Sequence, residues 1–369
     1  MKPFIPQKLP LKEVDWEPLI PMIGKANRSL AFFDGVLQGI GNPDLLLSPM
    51  TTQEAVLSSR IEGTQATLGD VLKFEAGQEP KEHRTQEDIR EIINYRRALR
   101  HAEQGLRKKP FNLNLLRDLH GILLDSVRGR TMARGRFRTI QNWIGKPGTP
   151  VGEAEFVPPE PQRLMEFLDN WEKYYHLQRP DPLVQLAIVH AQFEIIHPFL
   201  DGNGRIGRMI VPLFLFEKKI LSRPMFYISE YLESNRDSYV DRLRALGKTE
   251  GAWNKWIQFF LVTVDEQAQA NAAKARAIIN LYTRLKEQVI EVTHSQFAVP
   301  LLDQLFTHPV FQISHLKGKR MPTRPMITVL VTRLKDAGIL KVLREGGGRR
   351  GQVFALHELV DVTEGRKAF

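Results

Sequence analysis

Residues 181 to 199, DPLVQLAIVHAQFEIIHPF, are apolar on nearly every side when wound as a helix, and such a helix has no face to offer water. It needs neighbours on all sides, so the segment predicts a helical body with a buried central helix and excludes a small open domain. The surrounding sequence agrees. EDIREIINYRRALRHAEQ carries apolar residues at helical spacing on a charged body, and NLNLLRDLHGILLDSV opens at Asn112, a good N-cap residue. TTQEAVLSSRIEGT offers Thr51 as cap with Glu54 three residues on and Gly63 as a stop, which predicts a short helix ending near Glu62. A long helical stretch is expected from about Ala252 to Val292.

Two regions break this rhythm. NWIGKPGTPVGEAEFVPPEP, residues 142 to 161, alternates Gly and Pro with short apolar pieces and reads as a hairpin-like flap. Past residue 294, VPLLDQLFTHPVFQISHLKGK, TRPMITVLVTRLKDAGIL and KVLREGGGRRGQVFAL read as three helices followed by two strands around a Gly-rich turn. The expected division is a helical N-terminal region over 1–100, a core over 101–262, a helical linker over 263–294 and a C-terminal module over 295–369.

Composition narrows the class. The chain of 369 residues has no cysteine, which removes disulfides, thiolate zinc sites and cysteine nucleophiles together. With 52 Lys and Arg against 42 Asp and Glu, a net charge of +10 suits an anionic partner without choosing one. The opening MKPFIPQKLPLKEVDW lacks the apolar run of a signal peptide, and the apolar stretch MIVPLFLF is far too short to span a bilayer. A cytoplasmic protein without membrane attachment is the expectation.

The chemistry concentrates in HPFLDGNGRIGR, His197 to Arg208. Small residues and an amide stand where loop becomes helix, and a helix start presents unpaired N–H groups that favour an anion. Arg205 and Arg208 are three residues apart and share a face, so both could clamp phosphate oxygens. Asp201 makes sense beside phosphate when a divalent cation such as Mg²⁺ is held between them. His197 has the intrinsic pKa of a general base at neutral pH. GNGR alone fits a plain turn with a basic face equally well. His190, seven residues before His197 with no further His or Cys to complete a set, reads as a packed or hydrogen-bonding residue and not as a metal ligand.

Taken whole, the stretch resembles the signature of Fic proteins, His-x-Phe-x-(Asp/Glu)-Gly-Asn-Gly-Arg-x-x-Arg, at every fixed position. The resemblance extends through ARGRFRTIQNWIG, FVPPEP and YLESNRDSYVDRL, about residues 20 to 290. It implies a mainly α fold: a Fic-type helical core with a β-hairpin flap. It also implies a protein adenylyltransferase that moves AMP from ATP to a Ser, Thr or Tyr hydroxyl of a protein, itself included. In that family the residue at His197 is the base and that at Asp201 holds Mg²⁺. Asn203, with backbone around Gly202 and Gly204, fixes the α-phosphate, and Arg205 and Arg208 hold the outer phosphates. The flap, with Phe156 and Val157, would pair with the main chain of the target. Tyr231 and Asn235 are candidate adenine contacts, with plain packing of a helical tyrosine as the alternative.

SSRIEG matches the inhibitory motif that some members carry ahead of the core, in the residues Ser58, Glu62 and Gly63. The resemblance then implies a forked ion pair from Glu62 to Arg208, taking the arginine away from the γ-phosphate. The C-terminal pattern looks like a winged helix-turn-helix, with Arg324 and Thr328 facing out of its recognition helix and Arg349 and Arg350 on the wing. Residues 295–369 hold 12 Lys and Arg against 6 Asp and Glu, so duplex DNA is one expected partner, and protein contact or a homodimer is the other use of such a module. Beside the autoinhibited transferase stand two alternatives: a DNA-binding regulator whose core only senses nucleotide, and a Fic enzyme that removes AMP or moves another nucleotide.

Overall fold

The computed structural model describes residues 2–125, 132–145, 150–347 and 350–369. The helices in chain order are α1 (Ile20–Gln38), α2 (Pro43–Leu46), α3 (Ser48–Ile61), α4 (Leu68–Glu75), α5 (His83–Leu106), α6 (Leu113–Leu123), α7 (Leu164–His176), α8 (Pro182–Ile196), α9 (Asn203–Glu217), α10 (Ser229–Ser234), α11 (Arg236–Ala245), α12 (Ala252–Thr293), α13 (Ala298–Thr307), α14 (Arg324–Asp336) and α15 (His357–Glu364). Three short strands, β1 (Val310–Phe311), β2 (Lys341–Arg344) and β3 (Val353–Ala355), lie near the C-terminus. The protein is mainly helical with this one small sheet. Among the described residues no helix is long and apolar enough to cross a membrane.

The chain gathers into two compact units, each discontinuous in sequence. One comprises the residues up to Asp34, Leu57–Gly63 and Asn94–Gln269; the other comprises Gly35–Val56, Thr64–Ile93 and Ala270–Phe369. These borders differ from a division at 100, 262 and 294, because α1, α3, α5 and α12 each contribute residues to both units.

The first unit is built around α8. Asp181 caps it by accepting hydrogen bonds from the Leu183 and Val184 N–H groups, and Pro182 stands in the first turn, where its missing donor costs nothing. Every residue of α8 except Pro182 and Glu194 is buried. The apolar wheel leaves a ladder of carbonyls that still need partners, and two indoles supply them. Trp171 of α7 donates to Val189 O at 2.8 Å, and Trp256 of α12 donates to Ala187 O at 2.8 Å. The helix stops at His197, whose left-handed backbone (φ 49°, ψ 60°) reverses the chain while its N–H still bonds Phe193 O. Asn112 caps α6 by accepting from Leu115 N.

The second unit holds the antiparallel sheet in the order β1-β3-β2, with Phe311 opposite Phe354 in β3. Leu68 and Leu72 of α4 and Ala76 at its C-terminal cap share one apolar cluster with Val310, Val353, Ala355 and Val360. A capping box between Thr67 and Asp70 sets the start of α4. Residues 295–369 therefore bury their apolar face partly against a helix more than 200 positions earlier in the chain.

Several local expectations are corrected. α3 begins at Ser48, so Thr51 is no cap: its N–H already bonds Leu47 O, and Glu54 is buried. The stretch after α13 forms no second helix, because Pro309 interrupts it and Val310 and Phe311 pair with β3; only a 3-10 turn, Ile313–His315, follows. α15 was not foreseen. Among the described residues the flap shows one isolated bridge, Ile144 to Phe156, and a 3-10 turn at Val151–Glu153, with no full strand. Its residues 146–149 and the wing residue Arg349 lie outside the described residues.

Candidate active site

A cleft of about 690 Å³ opens beside the end of α8. Glu62, Phe156, Glu194, His197, Asp201, Gly204 and Arg208 line it, from segments that lie far apart in sequence. The left-handed turn at His197 brings the imidazole to the cleft floor. Its Nδ1 lies 3.2 Å from Glu194 O, and a carbonyl can only accept, so Nδ1 carries the proton and Nε2 is left as the basic nitrogen. Burial holds the ring's pKa down to about 4, against the opposing pull of the Glu194 carbonyl. The imidazole is neutral at pH 7 and able to take a proton.

The loop from Pro198 to Gly202 is pinned from within. Asn203 spends both ends of its amide on Phe199, accepting from its N–H at 2.9 Å and donating to its carbonyl at 2.8 Å. It thus shapes the loop, while the second N–H of Nδ2 is not used on Phe199. Gly202 takes φ 82° at the start of α9, where a Cβ would lie 3.3 Å from Leu123. Asp201 Oδ1 accepts from Gly202 N at 2.6 Å and from Arg205 Nη2 at 3.1 Å. Its carboxylate is 41 % exposed. Among the described residues no group of three or more His, Cys, Asp or Glu stands ready for a metal. A cation here would be held by one carboxylate together with the phosphates of a ligand, the usual manner of Mg²⁺.

Arg208 is 1 % exposed and faces the end of α3. Nε donates to Ser58 Oγ at 2.9 Å, and Nη2 donates to Ser58 O at 2.8 Å and to Glu62 Oε1 at 2.7 Å. The expected forked pair is corrected: the guanidinium divides its donors between Ser58 and one oxygen of Glu62, because the last turn of α3 presents a hydroxyl and an orphan carbonyl beside the carboxylate. Gly63 (φ 97°) ends the segment. Burial pushes the Glu62 carboxyl up, but Arg208 and then Arg205 outweigh it and hold it below the usual carboxylate range. A Cβ built on Gly204 would overlap Glu62 Oε1, so this glycine is what lets the carboxylate approach.

Tyr231 and Asn235 do not line the cleft. The Tyr231 ring packs near Phe259, and the Asn235 amide donates to Tyr231 O across the join of α10 and α11. The next helical turns supply the wall instead, through Arg236, Tyr239, Val240, Leu243 and Arg244. Glu155 of the flap pairs with Arg244. Phe156 pairs with Ile144, while Val157 O accepts from the N–H of Phe4, whose ring lies 5.5 Å from that of Phe156.

His120 and Glu194 escaped the sequence reading. His120 is fully buried on α6 and stacks on Phe199 at 3.9 Å. Its Nδ1 accepts from Gly135 N at 2.9 Å, so Nε2 carries the proton and donates to Asp201 O at 3.0 Å. The ring therefore braces the loop from behind. Among the described residues Glu194 Oε1 has no hydrogen-bond partner; it lies against Gly207, and burial pushes the carboxyl's pKa up to about 8. A histidine within an amphipathic helix and an acid in an apolar one were the only local signals. His190 hydrogen-bonds Gly207 O and the Tyr239 hydroxyl, each at 3.0 Å.

A histidine turn, a glycine-lined helix start and the buried Arg208 meet at one cleft of this helical core. Residues 20–104 match the Fic/DOC family N-terminal domain, and residues 110–215 match the Fic/DOC family domain. The chain belongs to the Fic/DOC family. It is 28% identical over 204 residues to a probable protein adenylyltransferase of Aquifex aeolicus, a stretch covering 53% of this chain and 55% of that one. It is 28% identical over 131 residues to protein adenylyltransferase fic-1 of Caenorhabditis elegans, covering 34% of this chain and 24% of the relative. The matches thus span about half and a quarter of those relatives' lengths. In fold it is similar to a crystal structure of a Fic family protein from Desulfovibrio desulfuricans G20, with a TM-score of 0.59 at 16% identity over 93% of this chain and 97% of that one.

Proposed function

We propose that the chain is an autoinhibited protein adenylyltransferase. The target hydroxyl attacks the α-phosphorus of ATP, its oxygen bonds to phosphorus, the bond to the pyrophosphate breaks, and the hydroxyl proton passes to His197 Nε2. The observation that carries this reading is the tautomer of His197: its Nδ1–H is committed to Glu194 O, so the ring turns its basic nitrogen to the cleft. Backbone N–H groups at the start of α9 and the guanidinium groups of Arg205 and Arg208 would oppose the charge that develops on phosphate oxygens. Ile61, Tyr239, Val240 and Leu243 form the wall suited to a base. Asp201 would share Mg²⁺ with the phosphates, and the ion would neutralise part of the triphosphate charge. With Glu62 on Arg208, the outer phosphates lose one partner and the triphosphate is displaced from in-line geometry. A shift of about 1 Å can cost on the order of a hundredfold in rate.

The test is intact-mass measurement after incubation with Mg²⁺ and each nucleoside triphosphate in turn. Glu62→Gly should raise the yield of protein carrying AMP, and His197→Ala should abolish it in that background while nucleotide still binds. Turnover surviving in the double variant would remove His197 from the role of base, and an unchanged or lower yield in Glu62→Gly would overturn the inhibitory assignment.

Residues 295–369 follow the order helix, strand, 3-10 turn, helix, two strands and a final helix, with the three strands in one sheet, which supports a winged-helix reading. On α14, Met326 and Val329 are 44 % and 46 % exposed and fall on the opposite flank of the exposed side from Arg324 and Thr328. Exposed apolar side chains on this helix favour a protein contact over the phosphate backbone of DNA. Salt-dependent binding of duplex DNA, lost in Arg349→Ala/Arg350→Ala, would reverse that preference.

A further inference from the structure

Arg138 is 2 % exposed, and among the described residues no carboxylate pairs with it. Burial lowers its pKa to about 10, which still leaves it charged at neutral pH. A buried, uncompensated cation is costly, so its surroundings need an account.

Four of its five side-chain N–H donors go to main-chain carbonyls. Nε donates to His197 O at 2.9 Å and Nη2 donates to Ile196 O at 3.4 Å, both at the C-terminal end of α8, where the helix dipole is negative. Nη2 also donates to Pro159 O at 2.6 Å, and Nη1 to Ile140 O at 3.5 Å. Ile140 and Pro159 are the two legs of the flap. The Arg138 N–H completes the set with Pro198 O at 2.9 Å. One planar guanidinium thus touches the turn that carries the base and both segments that lead into the flap. The same join is reinforced on one side by Asn142, whose amide donates to Phe199 O at 2.9 Å, and across the legs by Gln141, which donates to Pro158 O at 3.0 Å.

We propose that Arg138 is a positioning residue that sets the register between the flap and His197, and so fixes how far the main chain of a flap-bound target lies from Nε2. This rests on the transferase reading. The hydrogen bonds of Arg138 go to Ile140, Pro159 and the 196–198 turn and not to Gly202 to Arg208, so loosening it should impair delivery of a protein hydroxyl and spare nucleotide binding. Lysine keeps the charge but cannot reach both sides at once, because an ammonium is a point donor and a guanidinium a planar fork.

The test compares Arg138→Lys and Arg138→Gln with their parent, all in full-length protein carrying Glu62→Gly. Amide hydrogen exchange is followed over 142–145, 154–157 and 196–199, together with nucleotide affinity and the rates of AMP transfer to protein and to water. The expected result is faster exchange in both the flap legs and the 196–199 turn. Transfer to protein should fall by about tenfold or more, beyond any loss of transfer to water, with affinity for ATP little changed. Faster exchange at 196–199 alone, or equal loss of transfer to protein and to water, would reduce Arg138 to a helix cap and overturn the proposal. If the parent transfers no AMP at all, the transferase reading fails by itself, and the exchange data still decide whether one guanidinium ties the two segments together. Should Arg138→Gln not fold, Arg138→Lys carries the comparison.

Discussion

Glu62 Oε1 accepts a hydrogen bond from Arg208 Nη2 at 2.7 Å, and the same oxygen occupies the space that a side chain on Gly204 would fill. The carboxylate is therefore held by attraction on one side and admitted by the absence of a methyl group on the other. Its removal should alter both relations.

Gly204→Ala is expected to force Glu62 away and to press on Arg208 Nη1, which lies 3.0 Å from the added carbon. Overpacking of this kind costs roughly 1–3 kcal/mol. In a Glu62→Gly background most of that penalty should vanish. Urea unfolding of the four proteins of this cycle gives the coupling, and additive losses would show that the two residues do not compete for one space.

Ser58→Ala removes the hydroxyl that accepts from Arg208 Nε at 2.9 Å. A buried donor left without its partner costs about 1–3 kcal/mol, and the guanidinium gains freedom to leave Glu62. Lower stability together with a partial rise in AMP transfer, smaller than that of Glu62→Gly, is the expected pair of results. A stability loss with unchanged transfer would show that Ser58 supports the fold alone.

Burial lowers the pKa of His120 and of His190 to about 4 from an ordinary value of 6.5. Between those values the unfolded chain binds more protons than the folded one, so stability falls as pH drops from 6.5 toward 4, by about 1.4 kcal/mol per pH unit for each ring. His190→Gln should flatten part of this slope. Thermal midpoints measured across that window check it, and an unchanged slope would mean that His190 takes up its proton without leaving its partners.

Glu194 acts in the opposite direction. Its pKa is raised to about 8 from 4.5, so the folded chain holds a proton that the unfolded chain has lost, and stability falls as pH rises from 4.5 through 8. Glu194→Gln should remove that decline and raise the thermal midpoint at pH 7 relative to pH 5. Equal pH dependence in variant and parent would show that the carboxyl finds a partner when it ionises.

Much of this site was legible from local pattern. The all-round apolar segment predicts α8 because a helix without a polar face has to be surrounded, and Asn112 predicts the start of α6 because cap chemistry acts over three residues. The spacing of His197, Asp201, Gly204 and Arg208 brings them to one cleft because a turn and the first helical turns span so few residues. Glu62 was legible only through a short motif, and its contact with Arg208 joins residues 146 positions apart.

The remainder depended on contacts that no local period encodes. Tyr231 and Asn235 do not line the cleft, whose wall on this side comes from Arg236 and the helical turns that follow it. His120 reaches Asp201 across 81 positions, and Arg138 reaches His197 across 59. α4 shares its apolar cluster with strands near the C-terminus. The sequence alone determined the main helices of the core and where the reactive residues cluster, since propensity, capping and periodicity act within a few residues. Only the tertiary structure decided which buried polar group meets which partner, because that pairing is set by close packing among segments distant along the chain.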